Sequence, residues 1–284
     1  MSELATIGAV KAFILKESER LDPESRYVKE LLAQLDRFSG VANLEYWLSG
    51  NNRGRYWAGE EAWRWMTLEE KLRANLITNE TKMMRFNLWE ADTLQKRIIP
   101  FLYTKSTQRR VDVLSLPCSH GEEAVSLASE FMEAGIQDFT ISGFDIQGAC
   151  IQVARSGNFP ISGLPKYVTA QVAPEIMKHL WFEVADIFTM QTGLKQYDLV
   201  VCRNFLGYFK YEVAKEILAK LSDLMADESY LMLDTFVVQK YGGLMDDFYA
   251  VEVRAEGIPG PTPFFFRHKK GMEAVGRVTE REMR

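Results

Sequence analysis

The stretch 110-RVDVLSLPCSHGEEAVSLASEFMEAG-135 decides the fold. A short apolar run, 110–116, reads as a strand; 117–120 turns; and an amphipathic helix follows over 121–135. Working outward, the same alternation continues. Strands are predicted at 138-DFTISGFDI-146, 181-WFEVADI-187, 197-YDLVVCR-203, 230-YLMLDTFV-237 and 263-PFFFRHK-269. Helices are predicted at 147-QGACIQVARSG-157 and 211-YEVAKEILAKLSDLMA-226. Nearly all-apolar strands alternating with helices imply a parallel sheet covered on both faces.

Residues 1 to about 95 show no such strands. Apolar residues recur at helical spacing in 6-TIGAVKAFILKESERL-21 and 27-YVKELLAQLDRF-38, and a third helix is read over 60–77. The Gly and Asn content of 49-SGNNRGRYWAGE-60 reads as a loop. The expected organisation is a helical N-terminal domain with its linker over 1–90 and a doubly wound α/β domain over 91–284.

Composition narrows the function. With 284 residues, 47% hydrophobic and 26% charged, the chain has the make-up of a soluble globular protein. The longest apolar runs are strand-sized, too short for a membrane span, and the N-terminus lacks a basic region and cleavage site. Three widely spaced cysteines, Cys118, Cys150 and Cys202, exclude a disulfide framework and fit a cytoplasmic chain. His120, His179 and His268 show no ligand spacing, so no metal is expected. A net charge of −5 argues against nucleic acid as the partner. The cluster 57-WAGEEAWRW-65, with Arg53 and Arg55 before it, reads as tryptophans anchoring a helix and loop rather than a nucleic-acid or peptide surface.

In an open α/β sheet, ligands bind at the carboxyl ends of the strands. Ser119 and Glu122 have capping-box spacing, which would start the helix at His120 or Gly121. Gly121 would let the backbone approach a ligand closely. The turn is not G-x-G-x-x-G, which disfavours a nicotinamide dinucleotide and suits S-adenosylmethionine (SAM), a cofactor without phosphates. Asp145, ending the second strand, is placed either to accept from ribose hydroxyls or to cap the next helix. Asp186 could accept from an adenine amino group or serve its own loop. Arg203 and Asn204 follow an apolar strand into the same crevice, and Tyr208 could face it or pack beneath the next helix. In the connecting stretch, Asn79 and Thr81 read as helix caps as readily as ligand contacts, and Arg85 as a solvated arginine.

Four segments in order, 79-NETKMMR-85, 118-CSHGEEAVSLA-128, 144-FDIQGACIQVARSG-157 and 198-DLVVCRNFLGYF-209, resemble the CheR-type chemotaxis-receptor glutamate methyltransferases. The resemblance covers roughly residues 75 to 235. It implies a Rossmann-like SAM-binding domain behind a small helical domain. It also implies SAM contacts at Asn79, Thr81, Arg85, Glu123, Asp145, Asp186, Ile187, Arg203 and Asn204. Arg85 and Tyr208 would lie beside the transferred methyl group as the catalytic pair. The implied acceptor is a glutamate side chain of a chemoreceptor cytoplasmic domain or related signalling protein. Separately, the chain is expected to be a monomer.

The chain departs from the family pattern in places. Met83 and Met84 stand where the family usually has phenylalanines, His120 where it has threonine, and Asp186 where it has asparagine. The 158–181 stretch is short, so the family's inserted β-subdomain is expected to be missing, and the region after 227–236 lacks the expected Pro-Gly-Gly turn. These departures keep two alternatives open: a non-catalytic SAM-binding or scaffold protein, and a methyltransferase for a different acceptor.

Overall fold

The computed structural model describes residues 4–22, 26–50, 60–77, 93–160, 169–191, 195–234, 237, 240, 244, 248–251 and 265–268. Its strands are β1 (Val111–Ser115), β2 (Phe139–Asp145), β3 (Asn158–Pro160), β4 (Thr169–Gln171), β5 (Leu180–Val184), β6 (Tyr197–Cys202), β7 (Met225–Leu233), β8 (Phe248–Val251) and β9 (Phe265–His268). A seven-stranded sheet runs in the order β5-β2-β1-β6-β7-β9-β8. The first five strands are mutually parallel. The strand order reverses between β1 and β6, the switch point where a crevice opens.

The expected parallel sheet is thus mixed at one edge. β9 pairs antiparallel with β7, and β8 antiparallel with β9. β8 was not anticipated, although 248-FYAV-251 is rich in strand-favouring residues.

Alternation along the strands divides the core in two. Val111, Val113, Leu199 and Val201 turn to one face, where they meet Leu102, Leu127 and Phe131. Leu114, Val200 and Cys202 turn to the other, where they join one apolar cluster with Ile217, Leu221 and the N-terminal residues Val10, Ile14, Leu35 and Leu72. Both faces are covered, which is why β6 is buried along its whole length.

The N-terminal helices are α1 (Ile7–Ser18), α2 (Arg26–Leu35), α3 (Val41–Ser49), α4 (Glu60–Trp65) and α5 (Leu68–Ile77). The single helix read over 60–77 is broken. Thr67 begins a new one, its Oγ1 accepting from the Glu70 amide at 3.2 Å while Glu70 Oε2 accepts from the Thr67 amide at 2.8 Å. α3 was missed because it is short and buries only Leu44 and Leu48. Trp63 does anchor a helix, donating its indole N–H to the Leu48 carbonyl at 2.9 Å. A π-helical turn over Leu94–Ile98 leads into α6 (Ile99–Ser106), also unpredicted.

Around the sheet lie α7 (Glu122–Glu133), α8 (Gly148–Ser156) and α9 (Tyr211–Leu224). The expected helix over 211–226 stops two residues early because Met225 already pairs with Tyr197 in the sheet. Where the resemblance puts a β-subdomain, the chain forms a two-stranded antiparallel ribbon of β3 and β4. No helix among the described residues is long and apolar enough to cross a membrane.

Candidate functional site

A cavity opens at the carboxyl ends of β1, β2, β5 and β6. Its lining includes Glu123, Asp145, Asp186, Ile187, Arg203, Asn204 and Tyr208, all singled out from the sequence. Asn79, Thr81 and Arg85, and with them Met83 and Met84, lie outside the described residues.

Two turns meet on Asp145. Its Oδ2 accepts from the Ser119 amide and its Oδ1 from the Gln147 amide, each at 2.9 Å. The bond to Gln147 is a turn two residues long; the N-cap of α8 is Gln147 itself, so Asp145 is not that cap. Burial pushes the Asp145 carboxyl above the usual carboxylate range, opposed by the two amides. Each oxygen keeps a further lone pair for a ligand.

The capping box expected at Ser119 does not form. Ser119 has φ 50° and gives its amide to Asp145, and α7 begins at Glu122 with Gly121 as its N-cap and no side-chain capping bond. Glycine at 121 also has a packing reason that the sequence did not reveal. Its φ is +93°, and a Cβ there would come within 2.8 Å of the Phe182 ring. The glycine makes room for Phe182.

At the end of β6, Arg203 Nη1 donates to Glu123 Oε2 at 2.8 Å, with both side chains mostly buried. Asn204 takes φ 51° and donates its amide to Asp234 Oδ2 at 3.0 Å. Asp186 accepts from the Phe188 amide at 2.9 Å, holding its own loop while lining the cavity. Tyr208 ends a short 3-10 turn, and its carbonyl accepts from the Asp22 amide at 2.8 Å.

Sequence reasoning assigned nothing to the cavity from the helices before residue 78. The structure brings Glu17, Arg20 and Arg73 there. Arg73 Nε donates to Glu17 Oε2 at 3.1 Å, and the Arg20 guanidinium lies 4.3 Å from the Phe188 ring centroid. Glu122 and Gln147 were missed as well. No local pattern marks Glu17, Arg20 and Arg73, because the rest of the site lies far away along the chain.

Residues 79–235, more than half of the chain, match the family described as CheR methyltransferase, SAM binding domain. The chain belongs to the CheR methyltransferase family. Among its relatives, chemotaxis protein methyltransferase 1 of Pseudomonas aeruginosa is 27% identical over 58% of this chain and 68% of its own length. Chemotaxis protein methyltransferase Cher2 of Pseudomonas putida is 23% identical over 65% and 74%. A chemotaxis protein methyltransferase of Listeria innocua is 31% identical over 48% of this chain and 56% of its own. The matched region therefore spans between about half and three quarters of these relatives.

This CheR-family chain is a SAM-dependent methyltransferase, and its cavity suits that cofactor. The buried Ser119 Oγ and Gln147 Oε1 both belong to lining residues and have no hydrogen-bond partner among the described residues. Buried polar atoms of this kind are ordinarily satisfied. Beside the two spare lone pairs of Asp145, they form a polar wall fit for a ribose and its neighbours. No group of three or more His, Cys, Asp or Glu among the described residues could hold a metal.

Proposed function

We propose that this chain forms methyl esters on glutamate side chains of a chemoreceptor cytoplasmic domain or a related signalling protein. One observation carries the reading. Among the described residues lining the cavity there is no histidine or lysine, and its one thiol, Cys118, is pushed well above its ordinary pKa by burial. The lining carboxylates are already engaged, Glu17 with Arg73, Glu122 with His120, Glu123 with Arg203, and Asp145 and Asp186 with backbone amides. An amine or hydroxyl acceptor would have to lose a proton, whereas a carboxylate near pH 7 has none to lose. The names of the relatives, chemotaxis protein methyltransferases, point the same way.

When bound, SAM supplies an electrophilic methyl group on a sulfonium. The protein's task is then in-line placement, an effect worth up to roughly 7–11 kcal/mol. Asp145 accepts from the ribose hydroxyls, and Asp186 beside Ile187 accepts from the adenine amino group. Glu123, Arg203 and Asn204 complete the cofactor contacts within the described residues. Asn79, Thr81 and Arg85 add to them from the connecting stretch. Arg85 holds the cofactor or acceptor carboxylate, and the Tyr208 hydroxyl orients the acceptor. The helical domain over 1–90 covers the cavity of the SAM domain over 91–284, and the enzyme works in the cytoplasm as a monomer.

The test is methyl transfer from radiolabelled SAM to chemoreceptor cytoplasmic fragments of the same source. Label on protein that is released as methanol by mild base is the expected result. Base-stable label, or label on small molecules alone, overturns the glutamate assignment.

A further inference from the structure

Glu70 sits in the first turn of α5, in the helical region, yet its carboxylate serves two different helices. Oε2 accepts from the Thr67 amide and closes the capping box of α5. Oε1 crosses to α8 and accepts from the Gly148 amide at 2.7 Å. Gly148 opens α8, and the N-cap before it, Gln147, makes no side-chain capping bond. The first amides of a helix have no acceptor within it, and Glu70 supplies one from a helix 78 residues away in sequence.

The contact bears on the cofactor site through a short chain of bonds. Gly148 follows Gln147, whose amide donates to Asp145 Oδ1, while Asp145 Oδ2 holds Ser119. A capping box needs only one oxygen of its glutamate; the second lands on the turn that carries Asp145.

We propose that Glu70 is a positioning residue for SAM: it clamps the β2–α8 turn so that Asp145 presents its carboxylate to the ribose. This rests on the reading of Asp145 as the ribose acceptor. Part of the cofactor site is then built by the helical region, at a residue that touches no cofactor atom itself.

The experiment is calorimetric titration with S-adenosylhomocysteine of the wild-type chain, Glu70→Gln, Asp145→Asn, their double variant and Thr67→Ala. Thr67→Ala removes the other half of the capping box and controls for helix stability. Glu70→Gln is expected to raise Kd roughly tenfold, on the scale of one charge-assisted hydrogen bond. It should add nothing further in the Asp145→Asn background. Thr67→Ala should lower the melting temperature and leave Kd unchanged. Wild-type affinity in Glu70→Gln with weakened Asp145→Asn, additive losses in the double variant, or equal losses in Thr67→Ala would each overturn the positioning role. Wild-type affinity in Asp145→Asn would instead sink the ribose reading, and this inference with it.

Discussion

Arg203 and Glu123 meet at 2.8 Å inside the cavity, joining the end of β6 to the first turn of α7 across the switch point of the sheet. Both side chains are more than four-fifths buried, so the pairing offsets part of the cost of taking each charge out of water. Arg203→Leu should cost about 3 kcal/mol of stability by removing the charged partner of a mostly buried ion pair, and should weaken S-adenosylhomocysteine binding. Denaturant melts and calorimetry on the variant decide it; unchanged values in both would mean the pair is dispensable.

Asp145 makes cofactor affinity depend on pH. Burial raises its carboxyl pKa, so it takes up a proton at higher pH than an ordinary aspartate. A ribose hydroxyl donates to the ionised form, so affinity should fall as pH drops through the raised value. The stability linkage runs in the opposite direction: the raised pKa contributes stability that is fully present below about 3.9 and lost as pH rises through the folded value. S-adenosylhomocysteine titrations at falling pH, over the range in which the chain stays folded, should show the loss in wild type and not in Asp145→Asn. A flat wild-type profile would count against the ribose role.

Phe182 occupies space left by two glycines. A Cβ on Gly143 would lie 2.6 Å from its ring, and one on Gly121 at 2.8 Å. Gly143→Ala should destabilise by roughly 1–3 kcal/mol through overpacking, and Gly121→Ala by more, because its φ of +93° also disfavours a side chain. Phe182→Leu should recover part of the Gly143→Ala loss in thermal melts. No recovery would remove the steric explanation.

Asp198 lies at the other end of β6 from the cavity, fully buried, and accepts from Lys105, Arg109 and the Asp112 amide. Burial would raise its pKa, but the Arg109 and Lys105 hydrogen bonds outweigh that and hold the carboxyl below its usual range. Its contribution is therefore present above the unfolded pKa and lost as pH falls through the folded one. Asp198→Ala should cost roughly 3 kcal/mol, the lower end for a broken buried pair, since Arg109 is half exposed. S-adenosylhomocysteine affinity should stay at the wild-type value, because Arg203 is roughly 16 Å further along the strand. A matching loss of affinity would show that the two ends are coupled.

Much of the site was legible because chemistry and chain order coincide there. Asp145, Asp186, Arg203 and Asn204 each follow an apolar strand, and in a parallel sheet every such position opens on the same crevice. Other readings failed where local pattern was a poor guide. Ser119 and Glu122 have the spacing of a capping box, but Ser119 gives its amide to Asp145 and the helix starts later. The box that does form, at Thr67 and Glu70, lies inside a stretch read as one helix. Asp234, which holds the Asn204 amide, sat unremarked at the end of an obvious strand.

By itself, the sequence determined the alternation of strands and helices, the parallel core of the sheet and the identity of the residues at its carboxyl ends. Those features depend on periods of two and 3.6 residues, which any window of the chain displays. Only the tertiary structure decided that Glu17, Arg20 and Arg73 line the cavity, that Gly121 makes room for Phe182, and that Glu70 reaches Gly148. These contacts join residues tens of positions apart, and no local pattern encodes them; they exist once the N-terminal helices share one apolar core with a face of the sheet.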